Sequence, residues 1–449
     1  MSQVGRSRRK KPNFITVELE LLTSDDVTEP SILRNDTQAM ANSQESTIVP
    51  RALFPYGIYA VDPTPRAREL IHFIHVEAEY LYRPFRREWF SMAVVDVSAY
   101  YISLANASLY MNRIKYQGSL EYSDCLESSD YYRTCLATMS KRLESNTERS
   151  SEGVITTILG FLCHDSNVSN WPRWAVHMNG LQQVLQLRDN SQTLSGQIAI
   201  FLSWMDIIGS AVSDTMPRFN LPVELKPVES QPHAASPYLQ SVLSNLRSLN
   251  SVALNDVALC LEDASYVADI ANSHAEEPLF WNNGINGTRL IGPLSHQLLS
   301  LPRVSETIPT FSNYRDEALR EMTRLALLVV LARLKLAFIR IADELVPLQE
   351  RFARMFLHTC SPYDEFSDLQ LWALGIVGSM ASQGPTRNLY LSQVHKWAAL
   401  MQIKCGAKAF HLIRQINLID DMMGPGVRAL LIESICFDQR CCKEEHDPV

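Results

Sequence analysis

Residues 171–219 read WPRWAVHMNGLQQVLQLRDNSQTLSGQIAIFLSWMDIIGSAVSDTMPRF, and this stretch decides the fold class. Proline is tolerated in the first turn of a helix, so Pro172 predicts a helix start. Apolar residues then recur at spacings of three and four, the period of an α-helix with one face in the core. The predicted core face comprises Trp174, His177, Met178, Leu181, Val184, Leu185 and Arg188. Gly180 lies within this helix at a cost of about 1 kcal/mol relative to alanine, which predicts close approach of another backbone.

A second helix is predicted at about residues 197–212. It is apolar on two sides, so most of its circumference should be buried. Its narrow polar band contains Ser203, Asp206 and Ser210. An unpaired buried carboxylate is costly, so Asp206 needs a partner. Arg218 is the nearest candidate cation after the helix.

The whole chain is predicted to be an all-α, multi-helix array, because no segment combines period-two alternation with turn chemistry. Its 449 residues exceed the size at which single cores stop growing, so we expect two packed subdomains and tails. The predicted parts are a disordered basic and polar tail (1–50), an N-terminal helical part (51–216), a proline-rich loop (217–237), a C-terminal helical part (238–437) and a tail (438–449).

Local signals place several helix boundaries. Thr64–Pro65 and Ser150 or Ser151 are predicted helix starts, and a break is predicted near Asn250. Residues 278–314 are predicted to be irregular because glycine and proline recur there. The longest predicted helix runs from Asp316 to about Val346, has Arg320, Arg324 and Lys335 on one side, and is ended or kinked by Pro347.

Charge is distributed unevenly along the chain. The net charge is −8, and the first eleven residues carry five positive charges, which leaves −13 for the rest. Nucleic-acid affinity depends mainly on lysine and arginine neutralising phosphates, so the body is predicted to bind phosphate backbones poorly. The basic cluster itself fits a nuclear import signal or a nucleic-acid arm, or else a solvated tail without a role, and we favour import. Its residues are Arg6, Arg8, Arg9, Lys10 and Lys11.

Cysteine usage and hydropathy bear on the compartment. Nine scattered cysteines without a Cys-x-x-Cys pair favour a reducing compartment and no structural zinc. The first residues lack an apolar signal segment. The longest apolar run, Leu325 to Ala332, is far shorter than the roughly 20 residues of a membrane span, so we expect a soluble protein.

Few residues suggest catalysis. Asp420–Asp421 could hold a metal, but the acidic residues needed on the next turn are absent, and a role at the end of a helix fits better. His164–Asp165 resembles one piece of a metal phosphohydrolase site, although a buried or capping histidine is the better interpretation. His177 lies on the apolar stripe and fits a core histidine better than a catalytic one. No cofactor is predicted.

Four aromatic residues stand close in the deciding stretch: Trp171, Trp174, Trp204 and Phe219. They could line a ligand cavity. Core packing is the simpler interpretation.

These residues resemble the regulatory domain of fungus-specific transcription factors. The matching signature comprises Trp174, His177, Met178, Gly180, Leu181, Val184, Leu185, Leu187, Arg188, Trp204, Asp206, Pro217, Arg218 and Phe219. A second signature comprises Leu371, Trp372, Leu374, Gly375 and Gly378. The resemblance covers about residues 65–435, with Asp189–Asn190 where the family usually has Gly-Gly.

Members of that family commonly carry an N-terminal zinc cluster of six cysteines within about thirty residues, which reads DNA in the major groove. Here the first cysteine is Cys125. The zinc cluster is therefore not expected in this chain, and direct DNA binding is unsupported.

The resemblance implies a nuclear regulator of transcription in a fungus, not an enzyme. Such a regulator would be pathway- or metabolite-cluster-specific and act with other transcription regulators, DNA-bound proteins or a small-molecule effector. Two alternatives remain: a helical metabolic enzyme that uses Asp420, Asp421 or His164 with a metal, and a cytosolic helical adaptor.

Overall fold

The computed structural model describes residues 59–76, 85–115, 125–188, 194–225, 235–304, 314–338, 342–359 and 365–435. These residues form 17 α-helices and one 3-10 turn, Val223–Leu225, and they contain no β-strand. The prediction of an all-α array is confirmed. The predicted tails at 1–50 and 438–449 lie outside the described residues.

Seven helices form the first half of the described fold. They are α1 (Pro65–Val76), α2 (Arg86–Val95), α3 (Val97–Lys115), α4 (Leu126–Glu144), α5 (Glu152–Asn167), α6 (Trp171–Gln186) and α7 (Gly196–Ser213). Helix α3 packs against α1, α2, α4 and α5, and α5 also packs against α6 and α7. Every residue of α5 from Gly153 to Asn167 is buried, so α5 is the central helix beneath the 171–219 stretch.

Ten helices follow. They are α8 (Pro237–Ser248), α9 (Val252–Ser273), α10 (Pro278–Asn282), α11 (Gly284–Ser300), α12 (Tyr314–Lys335), α13 (Leu345–Thr359), α14 (Ser367–Ser379), α15 (Pro385–Leu400), α16 (Gly406–Ile416) and α17 (Asp420–Ile435). Helix α12 packs against α9, α11, α13 and α14, and α14 packs against the last three helices.

All described residues belong to one compact unit, residues 45–449. Helix α7 contacts α11 and α13, and one apolar core extends from α1 to α17. The division of the chain at 217–237 stays a prediction.

Several helix starts lie where capping residues predicted them. The Thr64 hydroxyl accepts a hydrogen bond from the Ala67 amide at 3.1 Å, and the Ser151 hydroxyl accepts one from Val154 at 3.3 Å. The predicted break near Asn250 separates α8 from α9. Each cap occupies an amide that has no partner inside its own helix.

The irregular segment predicted at 278–314 is wrong for its described part, since α10 and α11 occupy residues 278–300 apart from one residue. Pro293 lies inside α11. Leu294 and Leu298 of this helix are buried in the core. Tertiary packing has overridden the local helix-breaking signals.

The end predicted for the longest helix is also wrong. Helix α12 ends at Lys335, and α13 begins at Leu345, so Pro347 lies in a first turn, where proline is tolerated. The Lys335 ammonium lies 2.6 Å from the Glu344 carboxylate, and both side chains are buried. This ion pair connects the end of α12 to the residue before α13, in a region where the sequence predicted a single continuous helix.

Among the described helices, α7 alone is long and apolar enough to cross a membrane by length and composition, and 72% of its residues are buried in the folded body. Burial to this extent is typical of the core helix of a soluble protein.

Candidate functional site

The Trp174 ring of α6 packs directly against Gly209 of α7. A Cβ atom at Gly209 would lie 2.1 Å from the Trp174 ring, so no side chain fits there. A Cβ atom at Gly180 would have no heavy atom within 4 Å. The prediction of a close approach at Gly180 is wrong, and Gly209 is the glycine that the packing requires. A glycine inside a helix apolar on two sides was the signal that could have found it.

Asp206 is held by the backbone that follows its own helix. Its Oδ2 atom accepts hydrogen bonds from the amides of Arg218 at 2.6 Å and Phe219 at 2.9 Å. Burial raises the pKa of Asp206, and these two bonds act in the opposite direction. The predicted need for a partner is met: backbone amides form the hydrogen bonds to Asp206, and the charge of Arg218, the predicted cation, also acts to lower its pKa.

The Arg218 side chain instead lies over the Trp174 indole, 5.9 Å from the ring centroid. The next carbonyl, that of Phe219, accepts a hydrogen bond from His296 Nε2 at 2.9 Å. The Pro-Arg-Phe segment is thus fixed to α6, α7 and α11. Arg218, in the segment that follows α7, therefore contacts both Trp174 and Asp206, signature residues that are far apart in the sequence.

The remaining signature residues also have structural contacts. Leu181 and Trp204 are buried in the core, and Arg188 donates a hydrogen bond to the Ser150 carbonyl at 3.1 Å. In the second signature, Trp372 is fully buried and donates to the Asn417 carbonyl at 2.8 Å. The apolar signature residues therefore pack in the core, and Arg188 and Trp372 bind backbone carbonyls of neighbouring segments.

The aromatic set divides into core and surface members. Trp174 and Trp204 are buried. The Trp171 indole N–H donates to Asp343 at 3.2 Å, and Phe219 is half-buried against the core. Their packing favours the core interpretation over a cavity lined by all four.

His164 and Asp165 form a buried polar network with Arg173 of α6. Arg173 Nε lies 2.5 Å from Asp165 Oδ1, and its terminal nitrogen lies 3.3 Å from His164 Nδ1. Arginine can only donate, so His164 Nδ1 accepts and the proton is on Nε2. That nitrogen lies 3.2 Å from the Ser128 hydroxyl, which donates to the Ala105 carbonyl. His164 is therefore a neutral, structural histidine.

His177 completes this network from α6. Its Nε2 atom lies 3.0 Å from the Tyr132 hydroxyl and 3.7 Å from Asp165 Oδ2, and its ring stacks on Phe161. Burial lowers the pKa of His164 to about 3 and the pKa of His177 to about 4, with Arg173 adding to both effects. Burial raises the pKa of Asp165 to about 7, although Arg173 acts against that rise.

The free energy of unfolding is expected to fall as the pH is lowered from about 6.5 to about 4, because both histidines take up a proton when the chain unfolds. Asp165 acts in the opposite sense, since its raised pKa lets the folded protein bind a proton over the same range. Two histidines outweigh one aspartate by one proton, so these three groups together contribute about 1.4 kcal/mol per pH unit to the slope. Urea unfolding of the full chain between these pH values measures the slope.

The variant His177→Gln is expected to lower the slope by about 1.4 kcal/mol per pH unit relative to the unmodified protein, because one proton fewer is taken up on unfolding. The matched control is His411→Gln, which changes an exposed histidine of α16 and should leave the slope as it is. Equal slopes in His177→Gln and the unmodified protein would contradict the assignment.

Asp420 and Asp421 are the first two residues of α17. The expectation that they end a helix is wrong, and their position at a helix N-terminus favours negative charge. Asp420 Oδ2 pairs with Arg414 at 2.9 Å, and its amide donates to Asn272 at 2.8 Å. Nowhere in the described ranges do three or more histidine, cysteine or acidic side chains form a group that could hold a metal.

The sequence pattern missed a buried charge cluster. Asp214 caps α7 in a left-handed conformation, φ 50°, and its carboxylate lies 2.7 Å from Arg324 and 2.8 Å from Arg351. Arg303 lies 3.3 Å away. Arg324 also pairs with Glu321 at 2.7 Å. The sequence placed Arg320 and Arg324 on one side of α12, which indicated a cluster of positive charge. It did not identify the acidic residues that pair with them.

The predicted import cluster, Arg6, Arg8, Arg9, Lys10 and Lys11, lies outside the described residues. The described part of the candidate site is thus a set of buried contacts between helices and the segments that connect them.

The Pro-Arg-Phe segment contacts Trp174 and Asp206 within an all-helical body. This arrangement agrees with the resemblance to a regulatory domain. The chain belongs to the family described as fungal specific transcription factor domain, whose sequence model matches residues 73–409, three quarters of the chain. No curated protein and no solved structure gives a significant match. The predicted family is confirmed, and with it a role in fungal transcription regulation.

Proposed function

We propose that this chain acts in the fungal nucleus as a pathway- or metabolite-cluster-specific regulator of transcription, with residues 59–435 as its regulatory body. The family match over residues 73–409 carries this proposal. The basic cluster at residues 6–11 supplies the import signal in this account.

The regulator works through other transcription regulators or DNA-bound proteins. Support comes from charge, since the sequence outside the basic cluster carries −13 and phosphate binding depends on lysine and arginine. A small-molecule effector is the second class of partner. We assign no enzymatic activity or cofactor, because the candidate catalytic residues His164, His177 and Asp420 are engaged in structural contacts.

The test expresses the full-length chain, fused to a fluorescent protein, in its own host. One variant replaces Arg6, Arg8, Arg9, Lys10 and Lys11 with glutamine. The matched control replaces Glu18 and Glu20 with glutamine, which changes charge in the same tail and leaves the basic cluster intact. Localisation and chromosomal occupancy are measured in the same cells.

We expect the unmodified protein and the control to be nuclear and to occupy discrete chromosomal sites. The five-fold variant should be excluded from nuclei and lose at least tenfold in occupancy. A second measurement mixes purified protein with the occupied sequences at physiological salt, where we expect no specific binding. Absence of occupancy for the unmodified protein would overturn the proposed function, and direct specific binding would overturn the role assigned to partners.

A further inference from the structure

An open cleft runs between α4 and α6, above the buried helix α5. Its walls are Leu136, Met139 and Leu143 of α4 and Val176 and Val184 of α6. Its floor is Ile158 and Phe161 of α5. The cavity volume is about 510 Å³, within the range of about 300–1,000 Å³ typical of small-molecule sites.

The rim of this cleft leaves apolar surface in contact with solvent. Val176 is 65% exposed, Leu187 is 52% exposed and Leu143 is 44% exposed. Isolated exposed apolar residues are ordinary, but these three line one concavity, which is typical of a binding surface.

Gly180 explains why the cleft is open. It lies in the wall formed by α6, and a Cβ atom there would meet nothing within 4 Å. Glycine inside a helix costs about 1 kcal/mol relative to alanine, and no packing contact in the described structure requires it at this position. A larger side chain would extend into the cleft.

Four polar residues line the cleft, namely Ser140, Arg149, His177 and Gln183, and two of them bear on the ligand. Arg149 lines one part of it, and its guanidinium has no ion-pair or hydrogen-bond partner among the described residues, while the neighbouring Glu148 pairs with Arg142 at 2.9 Å. His177 lies in the wall formed by α6, with Nε2 on Tyr132 and with no partner for Nδ1 in the described part of the chain. The cleft thus offers an unpaired cation and a neutral ring nitrogen among apolar side chains.

We propose that the cleft between α4 and α6 binds a small apolar carboxylate, whose body lies on Ile158 and Phe161 and whose charge pairs with Arg149. Charge complementarity selects an anion, because an ammonium group would meet Arg149 with like charge. Apolar surface supplies affinity, and a few polar groups fix orientation. The effector role of this ligand depends on the proposed function in transcription.

The probe is 2-naphthoate, compared with 2-naphthylmethylammonium, which has the same ring system and the opposite charge. Titration calorimetry uses the purified full-length chain at physiological salt. The variants are Arg149→Met, which keeps the apolar length of the side chain, and Gly180→Phe, which fills the cleft. Gly180→Ala is the matched control, since its methyl group meets open space. Thermal unfolding of each variant shows whether it is folded.

We expect 2-naphthoate to bind the unmodified protein at least tenfold more tightly than the ammonium compound. Arg149→Met should lose at least tenfold in naphthoate affinity, Gly180→Phe should bind neither compound, and Gly180→Ala should keep binding within threefold. Absence of naphthoate binding, equal binding of the two probes, or unchanged binding in a folded Gly180→Phe variant would overturn the proposal. Because no gene-regulatory measurement is involved, any of these results leaves chromosomal occupancy as a separate test of the proposed function.

Discussion

Replacing Arg324 with methionine is expected to lower the free energy of unfolding by about 3–5 kcal/mol. The Arg324 side chain is fully buried and forms hydrogen bonds to Asp214 at 2.7 and 3.1 Å and to Glu321 at 2.7 and 2.9 Å. Methionine fills a similar volume but leaves Glu321 in the interior without this partner, whereas Asp214 keeps Arg351 and Arg303. The loss therefore comes mainly from the uncompensated buried charge of Glu321.

Urea unfolding at pH 7 measures this effect. The matched control is Arg247→Met, which removes a cation from an exposed pair with Glu262 and is expected to cost less than about 1 kcal/mol. A loss in Arg324→Met no larger than that of the control would show that the cluster contributes little to stability.

The variants Gly209→Ala and Gly180→Ala are expected to change stability in opposite directions. At Gly209 the added methyl group would lie 2.1 Å from the Trp174 ring, and overpacking of this kind costs about 1–3 kcal/mol or more. At Gly180 the methyl group meets nothing within 4 Å, so the better helix propensity of alanine should stabilise the protein by up to about 1 kcal/mol.

Thermal unfolding of the two variants beside the unmodified protein decides the matter. Near-ultraviolet circular dichroism of the Trp174 environment is expected to change in Gly209→Ala alone. Equal melting temperatures for both variants would mean that Trp174 can move away from α7 at no cost, against the packing described here.

Sequence periodicity could predict the positions of α6 and α7 to within about two residues, because their apolar faces repeat locally. It could also predict that Asp206 needs a partner, since burial of the surrounding helix follows from composition. The partner itself could not be found, because the amides of Arg218 and Phe219 become donors through the path of the chain after α7.

Features that depend on distant residues were not visible in the sequence. Arg324 meets Asp214 across 110 positions, and no local pattern connects an arginine inside an apolar helix with the residue that ends another. Helix α11 contains glycine and Pro293, yet its buried face holds it in place. The cleft at Gly180 was missed because a glycine can signal either a close approach or empty space.

One carboxylate, that of Asp214, joins the end of α7 to arginines that follow α11 and lie in α12 and α13. The acceptor thus comes before the proline-rich loop and its three cations come after it. If the chain were divided at that loop, the C-terminal piece would keep the three arginines without Asp214. The N-terminal piece would keep the Asp214 carboxylate without a cation. We therefore expect the parts of the chain on either side of residues 217–237 to unfold together, with Asp214 as one of the contacts that couple them.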